Sequence, residues 1–412
     1  MRLADEADGD NIMQRIQLQS IQPLHGVATP PPLSLYVHFP WCLRKCPYCD
    51  FNSHALHGVV AEDAYIDALL ADVEHALPLI WGRPIHSIFM GGGTPSLFSA
   101  KAIERLLSAL RARLRCLADI EISLEANPGT DTRHFQGYRQ AGVNRLSIGI
   151  QSFQAAHLSA LGRIHNDWQA QQALQVARRY FDNINIDLMY ALPGQTLEQS
   201  LADLVMALRY YPNHLSCYQL TIEPNTYFYH DPPCLPDEDL AAQMQTQLEQ
   251  YLCSQGWQHY EISAFARSGY QAQHNLNYWT FGDYLGIGAG AHSKLSFPEK
   301  IVRQMRYKQP TAYCRAVAAG QAVQTEHCLS LQDKLVEFMM NALRLREGFS
   351  IDCFRQRTGL NFVTIAETVE HAQAQGLLEY QRAQVRPTAH GWRFLNQLIQ
   401  YFMSNELRKE KR

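Results

Sequence analysis

Residues 42–49 read Cys42-Leu43-Arg44-Lys45-Cys46-Pro47-Tyr48-Cys49 and bring three cysteines together within one short run. A cubic four-iron cluster needs four ligands, so three thiolates leave one iron open to hold a small molecule by its amino and carboxylate groups. The alternative is a structural zinc ion with His38, His54 or His57 as its fourth ligand. Zinc sites usually pair their cysteines across a longer loop, so the spacing favours the iron–sulfur cluster.

The composition is that of an ordinary folded protein. The 412 residues, 46% of them hydrophobic and 18% charged, are enough for a barrel-sized domain and a smaller second one. A net charge of −3 argues against a dedicated nucleic-acid-binding protein and favours a small-molecule ligand or substrate. No run approaches the roughly 18 apolar residues of a membrane span, and the N-terminus does not resemble a signal peptide. We therefore expect a cytoplasmic protein without a disulfide framework.

A strand and helix alternation begins at Leu33. The preceding residues 1–32 show no sustained periodicity and predict a flexible leader. Short apolar runs then alternate with amphipathic segments of helical length, which is typical of a parallel sheet. The predicted strands are Leu33–Phe39, Ile85–Met90, Ile120–Glu125, Arg145–Ile150, Ile184–Met189, Leu215–Ile222 and His259–Ser263. The predicted helices among them are Tyr65–Leu77, Ala102–Leu114, Gln169–Phe181, Leu197–Leu208 and Leu240–Leu252.

Unusual polar or glycine residues follow five successive predicted strands. The cysteines follow the first, Gly91-Gly92-Gly93-Thr94-Pro95 the second, and Glu125, Gln151 and Asp187 lie at the ends of the next three. Each has an ordinary structural explanation as a turn, a helix cap or a loop cap. Because active sites of parallel barrels collect at the carboxyl ends of the strands, their joint occurrence favours one site at that rim. We predict an α/β fold, a partial (βα)6–7 TIM-like barrel.

Several of these motifs together resemble the radical S-adenosylmethionine (SAM) family. They match the branch that contains oxygen-independent coproporphyrinogen III oxidase, and more closely its sister group of heme chaperones. The matching motifs are the three-cysteine run, GGGTP at 91–95, EANPGT at 125–130, GIQSF at 149–153, LGRIH at 161–165 and NIDLM at 185–189. The resemblance extends from Leu33 to the C-terminus.

The resemblance implies a role for each matched residue. Cys42, Cys46 and Cys49 would bind a [4Fe-4S] cluster, and Tyr48 would lie near the adenine of SAM. The other residues implied in SAM binding are Tyr36, Gly92, Gly93, Thr94, Glu125, Gln151, Arg163 and Asp187. A carboxylate suits the ribose diol as a hydrogen-bond acceptor, and a guanidinium suits the methionyl carboxylate.

Two departures separate the chain from the oxidase. The oxidase has a fourth cysteine two residues beyond the third ligand, where this chain has Phe51. In addition, residues 274–279 read His274-Asn275-Leu276-Asn277-Tyr278-Trp279, which resembles the HNxxYW motif of the heme chaperones. Imidazole is a natural axial ligand of heme iron, although a histidine beside two aromatic residues is more often packed in a core. His292 is the next candidate ligand.

These observations favour a heme chaperone that passes heme to acceptor proteins and whose cluster is reduced by a partner protein. The alternative is an enzyme, an oxygen-independent coproporphyrinogen III oxidase that decarboxylates its substrate through a 5′-deoxyadenosyl radical. Whether the chain is an enzyme at all is left open by the sequence.

The chain changes character near Leu329. Helices are predicted over Leu329–Leu345, Ile351–Thr358, Val363–Gln375 and His390–Phe402, with a hairpin over residues 376–385. This order resembles a winged helix, but the would-be recognition helix has acids and no basic side chain, so DNA binding is disfavoured. We expect a barrel with the heme motif over residues 33–328 and a lid or docking domain over 329–412.

Overall fold

The computed structural model describes residues 27–80 and 82–403. Most of the predicted leader and the charged tip Arg408–Arg412 lie outside these residues. Where the leader is described, Val27 is buried and its amide donates a hydrogen bond to the carbonyl of Phe297 (3.2 Å). The end of the predicted leader therefore packs against the folded body.

In the described residues, twelve strands form one sheet in the order β12-β11-β10-β9-β1-β2-β3-β4-β5-β6-β8-β7. Their bounds are β1 (Leu33–Phe39), β2 (Ile85–Gly92), β3 (Cys116–Ala126), β4 (Arg145–Gln151), β5 (Asn183–Tyr190), β6 (His214–Gln219), β7 (Gln258–Glu261), β8 (Ala264–Ala266), β9 (Asp283–Ile287), β10 (His292–Ser296), β11 (Ile301–Arg306) and β12 (Val323–Cys328). Strands β1 to β6 are parallel neighbours, which confirms the α/β fold. A separate parallel pair joins Trp41–Cys42 to His54–Ala55.

Helices connect the strands, and most of them cover the outer face of the sheet. They are α1 (Glu62–Ile80), α2 (Ala100–Arg113), α3 (His134–Ala141), α4 (Ala155–Ala160), α5 (Asp167–Tyr180), α6 (Leu197–Leu208), α7 (Tyr227–His230), α8 (Glu238–Ser254), α9 (Gln273–Trp279) and α10 (Pro310–Ala318), with a 3₁₀ turn at Pro95–Leu97. Side chains at Asn166 and Thr196 begin α5 and α6 with capping boxes. The helical face of the sheet is hydrophobic, with Leu35, Ile148 and Ile186 fully buried.

The strand predicted over His259–Ser263 is not the next parallel strand of the barrel. A strand exists at Gln258–Glu261, but it forms a tight hairpin with β8, and β8 pairs antiparallel with β6. The connection of Ile262 and Ser263 is too short for the crossover that a parallel neighbour requires. The seventh parallel strand is instead β9, which lies on the other side of β1. Strands β10 to β12 extend the sheet there as antiparallel neighbours.

The inner face of the parallel strands is polar. Ser87 donates to Ser34 (2.8 Å), and Asn185 donates to Ser147 (2.7 Å) while His214 lies 2.6 Å from the Asn185 carbonyl oxygen. All five side chains are at least nine-tenths buried. The barrel interior is therefore a hydrogen-bonded polar layer rather than the packed aliphatic core of a TIM barrel.

The C-terminal part has its own hydrophobic cluster. Its elements are α11 (Leu331–Ala342), β13 (Phe349–Ser350), α12 (Ile351–Thr358), α13 (Val363–Ala374), β14 (Leu378–Gln381), β15 (Gln384–Pro387), α14 (Ala389–Arg393) and α15 (Leu395–Gln400). The predicted last helix is divided at Phe394, whose φ of −106° and ψ of 41° are not helical. Val27 and Phe281 also pack in this cluster, so the barrel and C-terminal part share buried surface. The boundary at residues 328 and 329 stays a prediction.

Among the described residues, no helix has both the length and the apolar character needed to cross a membrane.

Candidate functional site

A cavity of about 370 Å³ lies at the carboxyl ends of the parallel strands. All three cysteines of the run line it, together with eight of the nine residues expected at SAM: Tyr48, Gly92, Gly93, Thr94, Glu125, Gln151, Arg163 and Asp187. The ninth, Tyr36, lies outside this lining, and its hydroxyl is 2.9 Å from His38 Nδ1. Parallel topology thus brings together residues that are up to 145 positions apart in the chain, from Cys42 to Asp187.

The three thiols converge on this cavity. Thr94 Oγ1 donates to Cys42 Sγ (3.4 Å), Arg163 Nη1 donates to Cys46 Sγ (3.7 Å), and Cys49 Sγ lies 3.8 Å from Ser53 Oγ. Burial raises the pKa of the Cys42 thiol, and Cys49 and Cys46 raise it further because they are close. Three adjacent soft donors beside a guanidinium fit a cluster with an open iron.

Two histidines of the zinc alternative are engaged elsewhere. The ring nitrogens of His38 contact Tyr36 Oη and the carbonyl of Asn52 (2.8 Å), and His54 Nε2 lies 3.2 Å from the carbonyl of Lys308. A zinc ion that bound the His38 ring or His54 Nε2 would have to displace these contacts.

A hydrogen-bonded chain links two of the cysteines through Asn127, which the sequence analysis did not single out. Asn127 Nδ2 donates to Thr94 Oγ1 (2.9 Å), and Arg163 Nη2 donates to Asn127 Oδ1 (2.6 Å). Thr94 and Arg163 in turn donate to Cys42 and Cys46. The position of Asn127 in EANPGT, directly after β3, was the available signal.

Local backbone geometry requires the two glycines at the end of β2, Gly92 and Gly93. A Cβ on Gly93 would lie 2.6 Å from the carbonyl oxygen of Trp41 and 2.9 Å from that of Phe39, and Gly92 has a φ of 112°. The family resemblance implies that these glycines let the backbone approach the methionyl amino group of SAM. The structure provides a different reason: Gly93 is in close contact with the backbone that leads into Cys42, and Gly92 has a positive φ and lies against the ring of His38. Their contact with SAM stays a prediction.

Two half-buried carboxyl groups face the cavity. Burial raises the pKa of Glu125 to about 8, Asp187 adds to the rise, and the amide of Gly92 (3.1 Å) opposes it. Burial also raises the pKa of Asp187, although Asn185 Nδ2 (2.8 Å) and Ser147 Oγ (3.1 Å) donate to it. A pair of this kind can accept hydrogen bonds from a cation or from hydroxyl groups.

Gln151 has a strained backbone. It ends β4 with a φ of 68°, in the left-handed region that a residue with a side chain seldom adopts. Strain at a cavity-lining residue is typical of functional positions. Nearby, Tyr48 packs against Phe228 with a ring separation of 6.4 Å.

The HNxxYW motif forms α9, away from the cysteine cavity. The His274 side chain is buried at 1% exposure, its Nδ1 lies 2.9 Å from Ser87 Oγ, and its Nε2 lies 2.8 Å from Tyr278 Oη. Ser87 precedes the end of β2 by five residues, about 16 Å along the strand. His274 is therefore a packed, hydrogen-bonded residue in this structure.

The rest of the motif joins neighbouring elements. Asn277 Nδ2 donates to the carbonyl of Asp283 (2.7 Å), and the guanidinium of Arg344 lies 4.3 Å from the ring centre of Trp279. Asn275 is half-buried on the same helix. A heme role for the four motif residues His274, Asn275, Tyr278 and Trp279 stays a prediction.

The similarity to known proteins extends over almost the whole chain. The model of the radical SAM superfamily matches residues 36–205, and that of the HemN C-terminal domain matches residues 329–394. The heme chaperone HemW of Escherichia coli is 47% identical over 91% of this chain and 99% of its own length, and that of Lactococcus lactis is 32% identical over 91% and 98%.

The mitochondrial radical S-adenosyl methionine domain-containing protein 1 of Bos taurus is 34% identical over 90% of this chain and 87% of its own. Among solved structures, coproporphyrinogen III oxidase HemN of Escherichia coli has a TM-score of 0.78 and 25% identity over 91% of both chains. The chain therefore belongs to the HemW family of radical SAM proteins.

Proposed function

We propose that this protein is a heme chaperone that binds heme and transfers it to acceptor proteins. The observation that supports this most is the extent of the similarity to relatives named heme chaperone HemW. At 47% identity it spans 99% of one such relative, so it includes the cysteine run, the HNxxYW helix and the C-terminal domain together. A cytoplasmic location and a protein reductant for the cluster belong to the same proposal.

We further propose that the cavity holds a [4Fe-4S] cluster on Cys42, Cys46 and Cys49, with SAM beside it. When bound, the cluster would supply an electron at low potential. Glu125 and its neighbour Asp187 would accept hydrogen bonds from the ligand, and Arg163 offers a guanidinium close to Cys46. Tyr48, on the cysteine loop, contributes the face of its aromatic ring to the wall of the cavity.

The second candidate function is oxygen-independent coproporphyrinogen III oxidation. It is favoured by the structural similarity to HemN, which extends over 91% of both chains. Against it, the position of the oxidase's fourth cysteine is held by Phe51, which lines the mouth of the cavity and is 57% exposed. A phenyl ring cannot replace a thiol in redox or ligand chemistry.

The test is anaerobic reconstitution of the full chain followed by two parallel assays. Hemin titration should show binding near one heme per chain, and incubation with coproporphyrinogen III should yield no protoporphyrinogen IX. An authentic oxygen-independent oxidase assayed beside it is the positive control. Conversion at a rate comparable to that control, or the absence of stoichiometric heme binding, would reject the chaperone function.

A further inference from the structure

Each of the three cysteine sulfurs has a hydrogen-bonding partner outside the cysteine run. The partners of Cys42 and Cys46 belong to the chain of hydrogen bonds that runs through Asn127. The partner of Cys49 is the hydroxyl of Ser53, whose oxygen lies 3.8 Å from the sulfur. Ser53 is neither a cysteine ligand nor one of the residues expected at SAM, so its contact with the site needs an explanation of its own.

The Ser53 hydroxyl is buried beside two of the cysteines. The residue is only 6% exposed. Burial raises the pKa of the Cys49 thiol, and the backbone of Phe51 and the hydroxyl of Ser53 oppose the rise. Burial also raises the pKa of the Cys42 thiol, and Ser53 lowers it there as well. A thiolate has no proton to give, so the hydroxyl that faces it is the donor.

The preceding residue, Asn52, holds Ser53 in this place. The side-chain amide of Asn52 donates to the carbonyl of Ala289 (2.9 Å) and to that of Lys308 (2.9 Å). Its backbone carbonyl lies 2.8 Å from Nε2 of His38. The end of the cysteine loop is thus tied to β1, to the turn between β9 and β10, and to the segment after β11. None of these contacts uses a cysteine.

We infer that Ser53 is a positioning residue of the cluster, which donates to the sulfur of Cys49 and thereby raises the reduction potential, and that Asn52 keeps it there. The inference rests on the proposed [4Fe-4S] cluster and does not depend on heme. One electron from the reductant adds negative charge that the sulfurs share. A hydrogen bond to a sulfur therefore stabilises the reduced form more than the oxidised form.

The test is a redox titration of the anaerobically reconstituted full chain, followed by EPR of the reduced cluster. We expect Ser53→Ala to keep the wild-type iron and sulfide content and to shift the midpoint potential to a lower value. Ser53→Thr retains the hydroxyl and should have the wild-type potential. Ser34→Ala is the matched control, because it removes a buried hydroxyl near the amino end of β1, and its potential should equal that of the wild type.

A double variant tests whether Asn52 acts through Ser53. Asn52→Ala removes two anchors of the residue before Ser53, so we expect it to lower the potential of the otherwise wild-type chain. In the Ser53→Ala background the same change should have no further effect, because the hydroxyl that Asn52 positions is already absent. Equal shifts in the two backgrounds would reject the role of Asn52.

The outcomes separate this inference from the proposed cluster. A wild-type chain that takes up zinc and no iron would reject both. A wild-type cluster whose potential is unchanged in Ser53→Ala would reject the role of Ser53 and leave the cluster assignment standing. The role is also rejected if Ser53→Thr has the potential of Ser53→Ala, since the hydroxyl is then not the group that acts. Loss of iron in Ser53→Ala but not in Ser34→Ala would reject it too, because Ser53 would then be needed for assembly.

Discussion

At the scale of single residues, Asn127 orients the side chains around the cysteines although it contacts no cysteine sulfur itself. Its amide receives a hydrogen bond from Arg163 and donates one to Thr94, and these two residues each donate to a cysteine sulfur. Side chains of this kind orient ligands and tune the group that the ligands hold.

Asn127→Ala should leave iron incorporation intact but make the reconstituted cluster less stable. The thiols remain, while Thr94 and Arg163 lose the group that orients them, so we expect loss of iron to a chelator about tenfold faster. Absorbance of the reconstituted protein measures this. Asn361→Ala, at an exposed position of the C-terminal part, is the control and should not change the rate. Equal rates in Asn127→Ala and wild type would contradict the role.

The carboxyl group of Glu125 should make stability depend on pH. Its pKa is about 8 in the folded chain against 4.5 ordinarily, so between those values the folded state binds more protons than the unfolded state. The free energy of unfolding then falls as pH rises through this window. Glu125→Gln should remove this fall and raise stability at pH 8 by on the order of 3 kcal/mol.

Urea unfolding of the apo-protein at pH 5, 6.5 and 8 measures the effect. Glu104→Gln, an exposed carboxyl on α2, is the control and should keep the wild-type pH dependence. If Glu125→Gln also keeps that dependence, Glu125 is ionised in the fold.

At the scale of elements, the short helix α9 closes the polar interior of the barrel. The ring of His274 hydrogen-bonds with Ser87 of β2, and its backbone amide donates to the carboxylate of Glu121 from β3 (3.2 Å). Tyr278 on the same helix contacts Tyr284 of β9, with ring centroids 4.5 Å apart. The helix thus packs on the barrel interior through hydrogen bonds and ring contacts. An apolar helix at this place would leave the serines of the inner face without hydrogen-bond partners.

His274→Ala should destabilise the fold whether or not heme is present. It removes a stacked ring and two hydrogen-bond partners from a buried position, so we expect a loss of about 2–4 kcal/mol. Urea unfolding followed by circular dichroism measures it. Gln273→Ala, at an exposed position on the same helix, should change stability by less than about 0.5 kcal/mol. A neutral effect of His274→Ala would show that the ring is not a structural element.

At the scale of the whole molecule, Arg344 ties the C-terminal part to the barrel. Its guanidinium pairs with Glu261 of β7 (3.0 Å) and stacks on Trp279 of α9, and its carbonyl accepts a hydrogen bond from Trp392 (3.0 Å). The HNxxYW helix is therefore held between the strands and the C-terminal domain.

Arg344→Ala should loosen this junction. A stacked cation and a largely buried ion pair are lost, so we expect about 1–3 kcal/mol less stability. Hydrogen exchange in residues 273–279 should increase at the same time. Arg355→Ala, which breaks an exposed pair with Asp352, is the control and should cost less than about 0.5 kcal/mol. Unchanged exchange in α9 would contradict the coupling.

Local sequence patterns were sufficient to predict many strands and helices and the set of residues at the carboxyl ends of the parallel strands. The strand Leu33–Phe39 and the helices Leu197–Leu208 and Ile351–Thr358 have the bounds that the sequence predicts, because side-chain periodicity and caps are local properties. Residues after successive parallel strands meet at one rim for a topological reason, so the cysteine cavity could be expected from spacing alone.

Other features depend on long-range pairing that no local pattern encodes. The hairpin that turns β8 antiparallel, the division of the last helix at Phe394 and the bridge through Asn127 each depend on partners distant in the chain. The same holds for the two histidines. The sequence names His274 as the first candidate heme ligand and His292 as the next, and only the packing of α9 buries the first while the register of β10 leaves the second exposed.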